Sequence, residues 1–279
     1  MARELRFNPR IDRRPERPSP NLVRVVEAPL LGPQFACTPK NNMVSVIMTS
    51  YNRPTLVKEA IQSVLDQTYE DFELIVVDDG SSQETVEAID SFDDYRIVKV
   101  FFGRRELEGA RYCHSINEGL EIASGGFISY LTDDDLYRPR RLEVMTAELL
   151  RDPQKWVVYG QQLVQFLDED KKLVTEYVRD MLGITRDMSL IAGTIDHNSF
   201  MHRADCLRWL DKPYWPTHNW AAGDKEFLSR LTQRWNLHPV RVNRPGHRLV
   251  EILDVHREHP NGVGINLQLG KPPIYIEEA

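Results

Sequence analysis

The chain has 279 residues, of which 41% are hydrophobic and 28% are charged, and its net charge at neutral pH is −7. These values are typical of a globular protein with room for one large α/β domain, and the negative charge argues against a basic nucleic-acid-binding surface. The three cysteines are widely spaced and odd in number, which favours neither a disulfide framework nor a zinc site and suits a cytoplasmic protein. Because no apolar run approaches the roughly 18–20 residues that cross a bilayer, we expect no transmembrane segment.

Residues 1–42 differ in composition from the rest of the chain, with seven arginines and seven prolines. No helical or strand period lasts there, so the sequence predicts an extended N-terminal arm. Such an arm is typical of a mobile tail. The alternative is a docking segment for an acidic partner or an anionic surface.

From Met43 onward, short apolar strands alternate with amphipathic helices. Continuous apolar strands of this kind indicate a mainly parallel sheet with helices on both faces. We expect one domain over 43–245, with a first half at 43–150 and a second half at 151–245. The predicted strands of the first half are 44–49, 74–77, 97–102 and 127–131, and its predicted helices are near 56–65, 86–92, 110–123 and 139–150.

The second half is less regular. Its pattern predicts a strand at 156–160, a hairpin of 163–167 and 173–177, and helices near 204–210 and after 222. The aromatic stretch 214–220 suits either a core or a sugar-stacking platform. Residues 246–279 form a polar C-terminal tail in this prediction, and its histidines His247, His256 and His259 are weak candidates for metal ligands.

Polar clusters follow three of the predicted strands: Thr49 to Tyr51, Asp78 with Asp79, and Asp133 to Asp135. The carboxyl ends of parallel strands lie on one edge of a sheet, so we expect these clusters to converge on one crevice. Three adjacent carboxylates suit Mg²⁺ or Mn²⁺, which share their coordination shell with substrate phosphates. The alternative is an acidic cap for the helix that Pro139 begins, and the convergence favours the metal.

The glycine motifs that bind phosphates are absent from the sequence. There is no GxGxxG after the first strand and no GxxxxGK[ST] anywhere, so a Rossmann dinucleotide site and a P-loop are both disfavoured. The phosphates of any nucleotide would then need a metal ion. Asp224, near a predicted helix start, suits either a capping carboxylate or a catalytic base.

Three ordered segments, VSVIMTSYNRP, FELIVVDDGS and FISYLTDDDLYRPRRL, resemble the nucleotide-sugar-binding half of family 2 glycosyltransferases of the GT-A fold. Within that family the chain looks closest to the spore-coat polysaccharide glycosyltransferase of bacilli. The similarity continues in ARYCHSIN, TIDHNSFMHR and AAGDKEF, so it covers roughly residues 43–235. It implies that 43–150 is the nucleotide-binding half of the domain and 151–245 the acceptor half.

The resemblance implies a role for seven residues. Those implied to bind the nucleotide sugar are Thr49 and Tyr51 at the base and ribose, Asp79 at the imide nitrogen of uracil or thymine, Arg111 at the base, Asp133 near the ribose and Asp134 at the metal. It implies Mn²⁺ or Mg²⁺ on Asp134, and Asp224 as the catalytic base. The sequence departs from the usual DXD motif at its first acid, which is Thr132 here, and Asp135 is an extra acid without a role.

The function implied is transfer of a sugar, with inversion, from a UDP- or dTDP-sugar to the hydroxyl of a glycan or another acceptor. A nucleotidylyltransferase is the alternative enzyme, although it normally has a basic glycine-rich loop where this chain has SYNRP. A catalytically silent binding module is the alternative outside enzymes, and it would lose no activity when Asp134 is replaced by alanine.

Overall fold

The computed structural model describes residues 40–103, 109–179, 195–218, 223–244, 247–250 and 252–258. The predicted N-terminal arm lies outside these ranges except for its last three residues, which begin the first strand. The domain boundaries given above remain predictions. In the described part of the chain, no helix is both long enough and apolar enough to cross a membrane.

The described residues contain thirteen strands, five α-helices and two short 3₁₀ helices. In chain order the strands are β1 Lys40–Ser50, β2 Phe72–Asp78, β3 Ile97–Phe101, β4 Gly125–Thr132, β5 Leu136–Tyr137, β6 Val157–Tyr159, β7 Gln161–Leu167, β8 Leu173–Arg179, β9 Phe200–Arg203, β10 Leu237–Pro239, β11 Arg241–Arg244, β12 His247–Val250 and β13 Ile252–Glu258. The helices are α1 Leu56–Leu65, α2 Gln83–Asp90, α3 Arg111–Ile122, α4 Arg141–Arg151 and α5 Gly223–Thr232.

The central sheet has seven strands in the order β10-β6-β9-β4-β1-β2-β3. The pairs β1–β2, β1–β4, β2–β3 and β6–β10 are parallel, and β9 runs antiparallel to both of its neighbours. The expectation of a mainly parallel sheet is therefore confirmed. The antiparallel β9 joins the two parts of the sheet, and neither the length nor the composition of its short segment indicates a strand direction.

Both faces of the central sheet are covered, as the continuous apolar strands predict. On β1, Val46 and Met48 belong to a core cluster that also holds buried residues of α1, α2 and α4. Ile47 faces the other way, into a cluster with residues of α3 and α5. Helix α3 packs closely against β1 because residue 119 is glycine. A Cβ at that position would lie 2.5 Å from Cγ2 of Ile47.

A smaller sheet, in the order β5-β13-β7-β8, contains the predicted hairpin as β7 and β8. Its strand β13 corrects the prediction of a polar tail from residue 246, because residues 252–258 pair with β5 and β7. The sequence of β13 reads as polar because two of its buried residues are ionisable. Asp254 and Arg257 are both buried, the first beside Arg141 and the second beside Glu59.

Two other predictions are refined. The helix expected near 204–210 is a 3₁₀ helix, Ala204–Trp209. Of the aromatic stretch 214–220, Trp215 is fully buried and its ring stacks on Phe227 with the ring centres 4.4 Å apart. The core interpretation holds for this tryptophan, while residues 219–220 lie outside the described ranges.

Candidate active site

A cleft of about 490 Å³ opens at the carboxyl ends of β1, β2 and β4. The crevice predicted from the strand ends is confirmed in position. All seven residues to which the resemblance gives a role line this cleft: Thr49, Tyr51, Asp79, Arg111, Asp133, Asp134 and Asp224. Their individual roles remain predictions.

At the end of β2, the carboxylate of Asp79 meets the start of α3. Arg111 donates from Nε to Oδ2 of Asp79 at 2.7 Å and from an Nη to the backbone carbonyl of the same residue at 3.1 Å. The guanidinium also lies 5.1 Å from the ring centre of Tyr51, whose side chain is 44% exposed. An exposed ring beside a paired carboxylate and guanidinium is suited to hold a flat heterocycle by stacking and hydrogen bonds.

At the end of β4, Asp133 holds the loop that follows β1. Its carboxylate accepts the backbone N–H of Tyr51 at 2.8 Å and a guanidinium N–H of Arg53 at 2.6 Å. The same Arg53 nitrogen lies 3.2 Å from Asp134. Burial, followed by the charge of Asp134, raises the pKa of Asp133 to about 6, although Arg53 acts in the opposite direction. One guanidinium therefore contacts two adjacent carboxylates.

Asp135, which had no assigned role, is a buried structural carboxylate. It accepts the side-chain N–H of Asn198 at 2.5 Å, Nδ1–H of His256 at 2.9 Å and the backbone N–H of Arg257 at 2.7 Å. Burial lowers the pKa of His256, but Asp135 and then Asp196 outweigh it and raise that pKa to about 10. In this arrangement the His256 ring is a hydrogen-bond donor that joins β13 to the acidic turn. His259 lies outside the described residues.

Asp224 stands in the first turn of α5, as its position in the sequence predicts. Its Oδ1 accepts a hydrogen bond from Nδ1 of His197 at 2.9 Å. The ring of His197 stacks on Tyr112 with 5.7 Å between the ring centres. The carboxylate thus reaches the cleft with one oxygen already held by a buried imidazole.

The residues present fit a divalent cation through carboxylate oxygens. Asp134 is the most exposed of the three consecutive acids, with 15% of its side chain accessible against 1% for Asp133 and for Asp135. Within the ranges that the structure describes, no group of three or more His, Cys, Asp or Glu side chains could hold a metal alone. A hard cation that takes one or two carboxylates and completes its shell with phosphates and water matches this donor set.

Sequence reasoning missed two functional candidates, Arg53 and His197. Arg53 lies in the SYNRP loop, where turn residues and Pro54 drew attention to the loop rather than to its charge. His197 was contained in a segment of the resemblance without a role of its own. Each of these residues is recognised by its closeness in space to an acid that is distant in the sequence. A single sequence does not record such contacts.

The fold is the one found in glycosyltransferases of the GT-A type. TarS 1–349 of S. aureus, solved with UDP-GlcNAc, superposes with a TM-score of 0.55 at 18% identity, over 77% of this chain and 58% of that one. Mannosyltransferase PcManGT of Pyrobaculum calidifontis, solved with GDP-Man and Mn²⁺, superposes with a TM-score of 0.52 at 16% identity, over 79% of this chain and 57% of that one. These likenesses show the shared fold.

The sequence profile of Glycosyl transferase family 2 matches residues 45–208, and the chain belongs to that family. Protein CgeD of Bacillus subtilis is 36% identical over 197 residues, which are 67% of this chain and 46% of CgeD. The Escherichia coli protein WfgD, named as a UDP-Glc:alpha-D-GlcNAc-diphosphoundecaprenol beta-1,3-glucosyltransferase, is 38% identical over 39% of this chain and 42% of its own length. The chain therefore spans less than half the length of these curated relatives.

Proposed function

We propose that this transferase moves a hexose from a UDP- or dTDP-sugar to an acceptor hydroxyl, with inversion at the anomeric carbon and with a divalent cation on Asp134. The observation that carries the proposal is the convergence of seven residues, drawn from five separate segments of the chain, on one cleft. Among relatives, WfgD is named for UDP-Glc and TarS is solved with UDP-GlcNAc, which supports a uridine nucleotide sugar as the first donor to test.

The nucleotide would lie against Tyr51, with its base edge at Asp79. A pyrimidine imide has an N–H donor, and the carboxylate of Asp79 is an acceptor held in place by Arg111. Uracil and thymine share this imide, so both remain candidate bases. Thr49 and Asp133, at the ends of β1 and β4, are near enough to the same cleft to meet the ribose.

The diphosphate would lie near Asp134. A bound divalent cation would supply charge neutralisation to the leaving nucleoside diphosphate. The accessibility of Asp134 supports this, because 15% of its side chain is exposed against 1% for Asp133 and for Asp135. The guanidinium itself orients Asp133 and fixes the loop that carries Tyr51.

Asp224 would act on the acceptor. A hydroxyl is a poor nucleophile until its proton is removed during attack, and a carboxylate within hydrogen-bond reach can take that proton. The new bond joins the acceptor oxygen to the anomeric carbon. The bond from that carbon to the phosphate oxygen breaks on the other face, and its electron pair leaves with the nucleoside diphosphate.

The first experiment is calorimetric titration of UDP, dTDP and GDP, with and without Mn²⁺, into the wild type and Asp134→Ala. We expect UDP or dTDP to bind with help from Mn²⁺. The metal-dependent part should weaken at least about tenfold in the variant, since even changes to the partners of metal ligands typically have that effect. The matched control is Asp170→Asn at the exposed tip of the β7–β8 hairpin, which should bind like the wild type.

Two results would contradict the proposal. If no nucleoside diphosphate binds under any condition, the cleft is not a donor site and the binding-module alternative takes precedence. If UDP binds equally well without metal and in Asp134→Ala, the metal assignment is wrong while the donor assignment survives.

A further inference from the structure

His197 is the buried partner of the proposed base. It lies in a 3₁₀ helix, His197–Ser199, between β8 and β9, and only 7% of the residue is exposed. Its Nδ1 donates to Oδ1 of Asp224 at 2.9 Å. A histidine that holds a carboxylate in this way restricts the side chain to one rotamer and leaves the second oxygen to face the cleft.

The imidazole itself is fixed from two sides. It stacks on Tyr112 at an interplanar angle of 21° and meets Trp215 edge-on, with 5.9 Å between the ring centres. Asp196, the residue before it, caps the short helix by accepting the backbone N–H of Asn198. The ring therefore has little freedom to turn away from Asp224, and its direction is set by the fold.

Of the two ring nitrogens of His197, Nε2 has the unusual surroundings. It is buried, and it has no hydrogen-bond partner among the described residues. A buried ring nitrogen without a partner is costly in free energy, so a purely structural histidine would normally satisfy both nitrogens. Because the residue lines the cleft, this nitrogen is better explained by a role in the reaction than by one in packing.

We propose that His197 is a positioning residue for Asp224, holding the base in its reactive orientation through Nδ1 and adjusting the strength of the base by its own protonation. This inference rests on the proposed function, since it assumes that Asp224 removes the acceptor proton. The proton leaves the acceptor hydroxyl and goes to Oδ2 of Asp224, while Oδ1 keeps its hydrogen bond from the imidazole.

The charges around His197 support this coupling. Burial lowers the pKa of His197, but Asp224, followed by Asp196 and Asp135, outweighs it, so that the pKa lies above its ordinary value. Burial raises the pKa of Tyr112, which therefore stays neutral. His256 of β13 lies beyond Asp196, with 4.0 Å between its Nδ1 and Oδ2 of that residue. Among the described residues, these are the titratable groups that lie around the ring.

The sign of the pH effect follows from the pair. With His197 protonated, the neighbouring positive charge weakens Asp224 as a base. As pH rises through the raised pKa of His197, the ring loses a proton and keeps Nδ1–H on Asp224, and the base becomes stronger. The turnover rate should therefore increase on the alkaline side of the ordinary histidine range.

The test uses hydrolysis of the nucleotide sugar, in which water is the acceptor, so that the natural acceptor is not needed. Release of UDP from UDP-sugars in the presence of Mn²⁺ is followed from pH 5.5 to 9.5. The variants are His197→Phe, which keeps the ring stack, and His197→Gln, which keeps a donor that does not titrate. His238→Gln, at the end of the central sheet away from the cleft lining, is the matched control.

We expect His197→Phe to lose about 10- to 100-fold in kcat, less than the 10²- to 10⁴-fold that a general base contributes. His197→Gln should lose less, and both variants should lack the alkaline increase. Their affinity for UDP should stay within about twofold of the wild type, since neither change touches the residues proposed for the nucleotide. Thermal unfolding verifies that each variant is folded. If His197→Phe does not fold, the rate and pH profile of His197→Gln decide the test.

Two results would overturn the inference. If both variants keep the wild-type rate and pH profile while Asp224→Asn is inactive, the base needs no help from His197, and the proposed function stands. If the wild type hydrolyses no nucleotide sugar that it binds, the proposed function fails and the inference fails with it.

Discussion

The carboxylates around the cleft form two groups that differ in their cationic partner. Asp79 and Asp133 are paired with arginines, whereas Asp224 and Asp135 are paired with histidines. A guanidinium stays charged at any physiological pH, while an imidazole titrates near neutrality. The arginine-paired carboxylates belong to the part proposed to bind the nucleotide. The difference teaches that the carboxylates proposed for the nucleotide have a partner of permanent charge, whereas the proposed base has a partner whose own charge can change.

The largest effect is expected at the histidine-paired carboxylate of α5. Asp224→Asn removes the proposed base but keeps a side chain of the same shape that can still meet His197. Turnover of the nucleotide sugar should decrease by about 10²- to 10⁴-fold, the usual contribution of a general base, with UDP affinity unchanged. Steady-state kinetics and calorimetry measure the two quantities.

The control for that change is Glu226→Gln in the same helical turn, where the acid pairs with Arg230 and does not line the cleft. It should keep close to the wild-type rate. A rate in Asp224→Asn within about tenfold of the wild type would mean that another group removes the proton.

The next effect concerns the arginine-paired carboxylates. Arg53→Met leaves Asp133, which is almost fully buried, without its cation. Breaking a buried ion pair by removal of one partner typically costs 3–5 kcal/mol, and because Arg53 is 22% exposed we expect about 3 kcal/mol of lost unfolding free energy. Urea denaturation measures it. Arg140→Met, which breaks an exposed pair with Glu143, should change stability by less than about 1 kcal/mol.

A third prediction tests whether the partner decides the behaviour of a buried histidine. His202 accepts from the hydroxyl of Tyr130 at 2.7 Å and donates from Nδ1 to the carbonyl of Arg203. No carboxylate of the described segments acts on this ring, and burial lowers its pKa from 6.5 to about 4, the reverse of His197.

Since the unfolded chain protonates this histidine below about pH 6.5 and the folded protein only near pH 4, stability should decrease as pH falls through that window. At about 1.4 kcal/mol per pKa unit, the loss is of order 3 kcal/mol. His202→Phe should flatten this part of the stability profile. A profile equally steep in the variant would assign the acid sensitivity to other groups.

The smallest effect is expected at Asp254, a fully buried acid in β13 whose nearest cationic nitrogen is Nε of Arg141 at 3.8 Å. Burial raises the pKa of Asp254 well above its ordinary value. The folded protein therefore keeps a proton that the unfolded chain releases above about pH 4, and the wild type loses stability as pH rises. Asp254→Asn should be within about 1 kcal/mol of the wild type at pH 5 and relatively more stable at pH 8. Thermal unfolding at the two pH values measures the difference, and a variant that becomes relatively less stable at pH 8 would contradict it.

The sequence predicted the part of the site that lies at the ends of parallel strands. Thr49, Asp79 and Asp133 follow apolar runs directly, and the parallel sheet brings such positions together whatever the loops do. Asp224 was identified through the resemblance, and its place in the first turn of α5 agrees with it.

The parts that could not be predicted depend on contacts between distant segments. Strand β13 was read as a polar tail because its buried ionisable residues, Asp254 and Arg257, contact residues more than a hundred positions away. Asp135 was read as a surplus acid, although its three donors come from β13 and from the segment before β9. Hydrophobic periodicity identifies buried apolar residues, but it does not identify ionisable residues that are buried beside a partner.

The central claim is that this cleft transfers a sugar with inversion, and time-resolved proton NMR of UDP-glucose hydrolysis tests it most directly. The donor has the α configuration, so direct displacement by water should give β-glucose in the first minutes, before mutarotation mixes the anomers, and this product should be absent in Asp224→Asn. If α-glucose forms first, displacement is not direct and Asp224 is not the base that the proposal describes.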